Sequence, residues 1–394
     1  MRYAVTAFGL VLLGLCSVAG AQTFSQIYNF QGGSDGGNPY AGVTRDAAGN
    51  LYGTTYSDGN FNCPNGGCGV VYKIDPQGNE IPLYSFTGTP DGANPVAGVV
   101  ADAKGNLYGT TKFGGAKGYG TVYEVSPSGA EKILVSFTGG ADGGIPNGGL
   151  VMDKGGNLYG TTFDGGSAGF GTVFKLSASG AFTTLYSFPD MAHGMYPNAA
   201  LLLDDSGDLY GTTQYGGVSD RGTVFKLDSA GRESVLYSFS GADGAYPEAP
   251  LVIDGSGNLY GTTTGGGNSD LGTAFRLTPG GIETVLHSFT GSPDGEYPIS
   301  GVVLDSAGNL YGTTYQGGRS GGAGFGSSNA GVVYKIDAAG NESLLYTFQG
   351  MYDGQWPIGG LTLSPDGKSL YGAAEMGGSF CCGDVFQITL PSAQ

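Results

Sequence analysis

Between Gly149 and Phe188 the chain runs through four short apolar stretches separated by turn residues. Gly149-Leu150-Val151-Met152 ends at Asp153 and a Lys-Gly-Gly turn, and Asn157-Leu158-Tyr159-Gly160-Thr161-Thr162 follows. After Gly165-Gly166 comes Gly171-Thr172-Val173-Phe174-Lys175-Leu176, and a Ser-Ala-Ser-Gly turn leads to Phe182-Thr183-Thr184-Leu185-Tyr186-Ser187-Phe188. Alternation and enrichment in β-branched and aromatic residues predict four strands, A to D. No stretch carries the i, i+3, i+4, i+7 apolar spacing of an amphipathic helix over useful length. Four antiparallel strands in roughly 50 residues is the size of one β-propeller blade.

The pattern then repeats. The tyrosine of strand B recurs as Tyr52, Tyr108, Tyr159, Tyr210, Tyr260, Tyr311 and Tyr371, at steps of 56, 51, 51, 50, 51 and 60 residues. Each unit is too small to bury its own apolar face and must bury it against its neighbours. The ends indicate a closed ring. Phe24 to Phe30 matches strand D, whereas the last strand, Gly383 to Ile388, matches strand C. An all-β, seven-bladed propeller is therefore expected, with the N-terminal strand completing the last blade and covering its exposed edge.

The succession of a short strand A, Asp-x-x-Gly-Asn, Leu-Tyr-Gly-Thr-Thr, Gly-Gly, Gly-Thr-Val-Phe-Lys-Leu and Leu-Tyr-Ser-Phe resembles the Gloeo-Verruco (GloVer) tandem repeat of exported bacterial proteins. The resemblance covers essentially all of the chain after residue 21. It implies a secreted, propeller-like protein without an assigned activity, and the usual surface-anchoring tail is not evident here. A more distant likeness, carried by the apolar-Asp-x-x-Gly-Asn-aliphatic-Tyr hairpin, is to NHL-type and streptogramin-lyase-type propellers, and is an analogy of fold.

Composition narrows the partners. The formal charge is -17 and the pI about 4.2, although only 12% of residues are charged. Such a surface repels nucleic-acid phosphates and anionic headgroups and tolerates cations or neutral ligands such as glycans. The 79 glycines fall at turns and lack the collagen period. Arg2, the apolar run from Ala4 to about Val18, and Ala19-Gly20-Ala21 predict a cleaved signal peptide over 1–21. Leu15 before Cys16 argues against lipoprotein-type cleavage. The remainder, 22–394, is expected to be one secreted domain (extracellular or periplasmic), monomeric and not inserted into a membrane.

In a blade, the D–A and B–C connections share one face and the A–B and C–D turns the other. Insertions collect in B–C loops: Asn60 to Cys68 in blade 1, Arg319 to Ala330 in blade 6 and Phe380-Cys381-Cys382 in blade 7. Variable loops on one face of an array mark the expected binding face. The D–A loops repeat Asp-Gly-x-x-Pro, with Asp353 in the last copy and His193 replacing the aspartate in blade 4. Either the aspartates shape turns, or they ring the channel mouth and hold a structural cation such as calcium. No other cofactor is implied. The residue before the proline is Asn38, Asn94, Ile145, Tyr196, Tyr246, Tyr297 and Trp356. The last four either form a stacking crescent for sugar rings or an apolar partner, or fill gaps between blades. Candidate ligand-binding residues are thus Tyr196, Tyr246, Tyr297, Trp356, His193 and Asp353. His287 stands where other strands D carry tyrosine and is expected to be a packing variant.

Cys63, Cys68, Cys381 and Cys382 remain after the leader, in an oxidising compartment. Cys68 and Cys382 hold the same repeat position in blades that meet at closure. A disulfide from Cys63 or Cys68 to Cys381 or Cys382 is expected, and Cys63–Cys68 with a vicinal Cys381–Cys382 bond is the competing pattern. No catalytic motif of the H-E-x-x-H or phosphate-loop kind occurs. A binding module for a glycan or extracellular protein is the expected function. The alternatives are an extracellular propeller hydrolase or lyase acting on a polysaccharide or lactone-like substrate, and a structural component of the envelope.

Overall fold

The computed structural model describes residues 22–60, 63, 66–318, 329–350 and 352–391. The signal peptide expected over 1–21, Phe61, Asn62, Pro64 and Asn65 of the blade 1 insertion, and residues 319–328 of the blade 6 insertion lie outside them. The described residues form seven four-stranded antiparallel sheets. In six of them the strands follow chain order, as in Val151–Met152, Leu158–Thr162, Thr172–Leu176 and Phe182–Ser187. The seventh joins Thr362–Leu363, Ser369–Ala374 and Asp384–Thr389 to Thr23–Asn29.

The N-terminal strand pairs with Asp384–Thr389 in the register of an ordinary strand D. Elsewhere strands C and D slip by one residue, as between Val173↔Tyr186 and Phe174↔Thr184. The same slip separates Val385↔Tyr28 from Phe386↔Gln26. A bulge repeated at one position re-aims side chains there, so Tyr28 projects as Tyr84, Tyr237 and Tyr346 do.

In blades 1 to 6 the A–B hairpin is built by its aspartate, and in blade 7 Ser364 Oγ accepts the turn amides instead. Asp153 accepts from Asn157 N at 2.9 Å, Asn157 Nδ2 at 2.7 Å and Tyr159 Oη at 3.1 Å. Burial raises its pKa, but these bonds, led by those from Asn157, hold the carboxyl below its ordinary value. The glycine of strand B has a steric cause. A Cβ on Gly160 would lie 2.6 Å from Cζ of Phe174, the fully buried ring of strand C.

The core lies between blades. The phenylalanine ending each strand D packs edge-on against the strand C ring of the next blade. These pairs are Phe30–Tyr72, Phe86–Tyr123, Phe137–Phe174, Phe188–Phe225, Phe239–Phe275, Phe289–Tyr334 and Phe348–Phe386, with centroids 4.9–5.4 Å apart. Each contributes roughly 0.5–1.5 kcal/mol beyond its area burial. Aliphatic residues of strands A, B and C complete each seam, such as Val43, Leu51, Val70 and Val385 around Phe30 and Tyr72.

Candidate functional site at the channel mouth

The residue before each D–A proline is clamped in a left-handed conformation. The φ angles of Asn38, Asn94, Ile145, Tyr196, Tyr246, Tyr297 and Trp356 are 55–60°. Non-glycine residues avoid this region, and a following proline disfavours helical backbone further. Two backbone hydrogen bonds hold it. Each amide donates to the preceding blade at the head of strand C, as Trp356 N does to Ala330 O at 2.8 Å. Each carbonyl accepts from the residue after strand B, as from Glu375 N at 3.0 Å. The proline then packs over the strand C glycine of the preceding blade: a Cβ on Gly383 would lie 2.5 Å from Pro39 Cδ.

This clamp aims two further positions inward. The residue after the proline is Tyr40, Val96, Asn147, Asn198, Glu248, Ile299 and Ile358 in blades 1 to 7, and all seven, with Lys112, line a cavity of about 230 Å³ at the channel mouth. The residue after strand B is Tyr56, Lys112, Phe163, Gln214, Thr264, Tyr315 and Glu375. Across the seams, Gln214 Nε2 donates to Glu248 of the next blade, and Glu375 accepts from Tyr40. Asn147 Nδ2 donates to Asn198 Oδ1 at 2.8 Å. Ile299, Ile358, Tyr40 and Val96 make one side of the mouth apolar, while Asn147, Asn198 and Glu248 make the other polar. Burial raises the pKa of Glu248 and of Glu375 against the lowering effect of their hydrogen bonds, and lowers that of Lys112.

Larger hollows, of about 800 and 760 Å³, lie at the opposite end among the A–B hairpins around Asp153, Asp204, Asp254 and Asp305. Those hairpins repeat nearly unchanged and their aspartates serve their own turns, whereas the D–A/B–C mouth differs from blade to blade. Specific recognition needs differing side chains, so the D–A/B–C mouth is the better candidate.

The aromatic residues before the prolines are half-buried, and none of them lines the cavity itself. Tyr196 stacks on Phe163 at 4.9 Å, and Tyr215 bridges Tyr196 and Tyr246 at 6.2 and 5.3 Å. Arg221 donates to the Tyr246 hydroxyl and lies 5.3 Å from its ring centroid. Trp356 lies 5.5 Å from Tyr315, and Tyr40 lies 4.9 Å from Tyr56. Tyr297 is half-buried in its equivalent place.

His193 and Asp353 do not join the mouth. His193 ends a 3-10 turn whose cap, Asp190, meets its Nδ1 at 2.8 Å. That bond raises the imidazole pKa, with a further contribution from Glu233 on the outer strand of blade 4. Asp353 accepts from Tyr346 Oη at 2.6 Å and Gln349 N at 2.9 Å. Asp35 and Asp91 likewise accept from Tyr28 and Tyr84 at 2.9 and 2.5 Å. The D–A aspartates therefore brace their own loops, and among the described residues no group of three or more His, Cys, Asp or Glu side chains is placed to hold a metal ion. His287 Nε2 meets Asp294 Oδ2 at 3.0 Å, substituting for the tyrosine hydroxyl.

The expected clasp between the Cys63/Cys68 and Cys381/Cys382 pairs is corrected. Cys63 and Cys68 are joined to each other, with Cα atoms 5.6 Å apart, while Cys381 and Cys382 are free thiols. Equivalent repeat positions lie one blade apart and point the same way around the ring. Cys382 Sγ faces Gly32, and Cys68 Sγ faces the corresponding Gly88 one blade further on.

The fold and this mouth define a closed β-propeller built from one tandem repeat. The Gloeobacter/Verrucomicrobia repeat model matches residues 15–156 and 130–325, and the chain belongs to that family. None of the curated proteins matches it. Among solved structures it is similar to the extracellular domain of a candidate hybrid two-component system from B. thetaiotaomicron, at 13% identity and a TM-score of 0.54, covering 95% of this chain and 44% of that one. It is also similar to a candidate 6-phosphogluconolactonase from Bacteroides uniformis, at 15% identity and a TM-score of 0.51, covering 79% and 86%. A gluconolactonase from Xanthomonas campestris follows at 16% identity and a TM-score of 0.42, covering 73% and 83%. At these identities the likeness concerns the fold alone.

Proposed function

We propose that this is an exported binding module whose D–A/B–C face, centred on the channel mouth, recognises a glycan or a protein segment. One observation carries the proposal: within a strongly repeated pattern, the residue after the proline and the residue after strand B change chemistry from blade to blade, and the first of these lines the mouth in all seven blades. Structural demands alone leave no reason for them to differ together there. The half-buried aromatic wings, Tyr196 with Tyr246 and Trp356 with Tyr315, offer the ring faces that stack on sugars or apolar side chains. Export is supported by the leader-like sequence and the Cys63–Cys68 disulfide, and no helix among the described residues is long and apolar enough to cross a membrane. The test is a glycan array with the wild-type protein and Trp356→Ala. Binding lost in the variant with an unchanged thermal midpoint supports the proposal; equal binding by both removes the aromatic wing from it.

An extracellular propeller hydrolase or lyase is the second reading, favoured by the opposite pKa shifts of Glu248 and Lys112 in one cavity. Burial moves both groups toward the neutral range, where general acids and bases work. Hydrolase assays with and without EDTA on the ligand found by the array separate the two.

A further inference from the structure

We propose that the channel mouth takes a small hydroxylated organic acid, about one sugar ring in size, with Lys112 holding its carboxylate. The proposal rests on the reading of this face as a binding surface and narrows its ligand.

Lys112 lines the cavity together with Tyr40, Val96, Asn147, Asn198 and Glu248. The chain has 33 acidic and 16 basic side chains, yet among the described residues Lys112 makes no ion pair. Its ammonium rests 5.4 Å from the ring centroid of Phe113. A half-buried cation without a counterion in so acidic a protein is costly unless an anion visits it.

Its neighbours fit a hydroxylated acid. Gln214 and Glu375 occupy the same repeat position as Lys112, and each meets the residue after the proline of the following blade, Glu248 or Tyr40. For Lys112 that residue is Asn147. The Asn147 side chain spends its Nδ2 on Asn198, while its buried Oδ1 has no partner. A ligand hydroxyl would satisfy that oxygen, and buried acceptors are seldom left unpaired. Ile299, Ile358, Val96 and Tyr40 supply an apolar wall for the C–H face of a ring.

Size and charge limit the ligand. The mouth beside Lys112, about 230 Å³, is the size of one ring and opens onto a hollow of about 390 Å³ that shares all of its lining but Lys112. The charge of -17 repels a polyanion, which favours a single carboxylate over a polyuronide. The acid can arrive free or as the single terminal residue of a neutral glycan.

Calorimetry with the purified protein tests this, using sodium glucuronate, glucose and a neutral oligosaccharide capped by one glucuronate. Wild type should bind glucuronate, more weakly as salt rises. Lys112→Met should weaken it by roughly tenfold or more, Lys112→Arg should retain most of it, and glucose should not distinguish the variants. Tighter binding of glucuronate identifies the free acid as the ligand, and tighter binding of the capped oligosaccharide identifies a chain end. Glucuronate binding no better than glucose, or unaffected by Lys112→Met in a variant with a wild-type thermal midpoint, overturns the proposal. If neutral glycans still bind and lose binding with Trp356→Ala, the binding face stands and the acid specificity alone falls.

Discussion

Gln26 Nε2 donates to Asp384 Oδ2 over 2.6 Å, joining the first strand of the ring to the last. In blades 2 to 5 this place holds a pair of threonines, such as Thr162 and Thr172, which share a hydrogen bond at 2.8 Å. Blade 7 has Ala374 and Asp384 instead, and Asp384 Oδ1 is buried without a partner. Burial pushes the carboxyl up to about 8, against the lowering effect of Gln26.

That shift gives a signed pH dependence. The folded value lies above the ordinary 3.8, so the folded chain binds the proton more tightly than the unfolded one. The stabilisation is complete below about 4 and is lost as pH rises through about 8. Glu80, also pushed up to about 8, and Glu131 and Glu283, pushed up to about 7, act in the same direction. The wild-type melting temperature should therefore fall from mildly acidic to alkaline pH. Asp384→Asn keeps an acceptor for Gln26 and should fall less steeply; identical slopes would rule out Asp384 as a contributor.

Strand C offers a stabilising change. The hydroxyls of Tyr72, Tyr123 and Tyr334 are buried without partners, whereas blades 3, 4, 5 and 7 carry phenylalanine there. Leaving such a group unpaired costs about 1–3 kcal/mol. Tyr123→Phe should raise stability by about 1 kcal/mol in reversible urea unfolding, and a loss would reveal a partner for the hydroxyl.

Ile145 is the β-branched member of the left-handed series, with φ of 55°. Asparagine enters that region at lower cost than other side chains, and the left-handed helical conformation costs about 1–2 kcal/mol for ordinary residues. Ile145→Asn, matching Asn38 and Asn94, should stabilise the fold by about 1 kcal/mol in the same assay. Destabilisation would mean that the isoleucine packing outweighs backbone strain.

The thiols are predicted to differ. Cys381 is exposed, whereas Cys382 is partly covered, and burial, followed by the nearby Asp58 and Asp35 carboxylates, raises its pKa. Thiolate is the reactive form, so alkylation at neutral pH should label Cys381 before Cys382. Peptide mapping without reduction should recover Cys63 linked to Cys68, and a link from either to Cys381 or Cys382 would contradict the structure.

Much of this architecture was legible in the chain. The spacing of Tyr52 through Tyr371 counts the blades, and the match of Phe24–Phe30 to strand D locates the first strand. The D–A aspartates, read as turn formers or as a cation ring, prove to brace their own loops. The candidate site was only half visible. Tyr196, Tyr246, Tyr297 and Trp356 stood out because they are aromatic, but their left-handed backbone was hidden, because a residue before proline ordinarily prefers an extended conformation. Lys112, Asn147 and Glu248 gave no motif; comparing repeats position by position would have found them as the variable residues after strand B and after the proline. The cysteine clasp failed because matching repeat positions are neighbours in the pattern and a full blade apart in space.

The most direct test of the channel-mouth site is a crystal structure after soaking with a mixture of neutral and singly acidic oligosaccharides. Ligand density among Tyr40, Lys112, Asn147 and Glu248, flanked by Trp356 and Tyr246, is the predicted result. Density confined to the A–B hairpin mouth around Asp254 and Asp305, or to the outer seams, would contradict it.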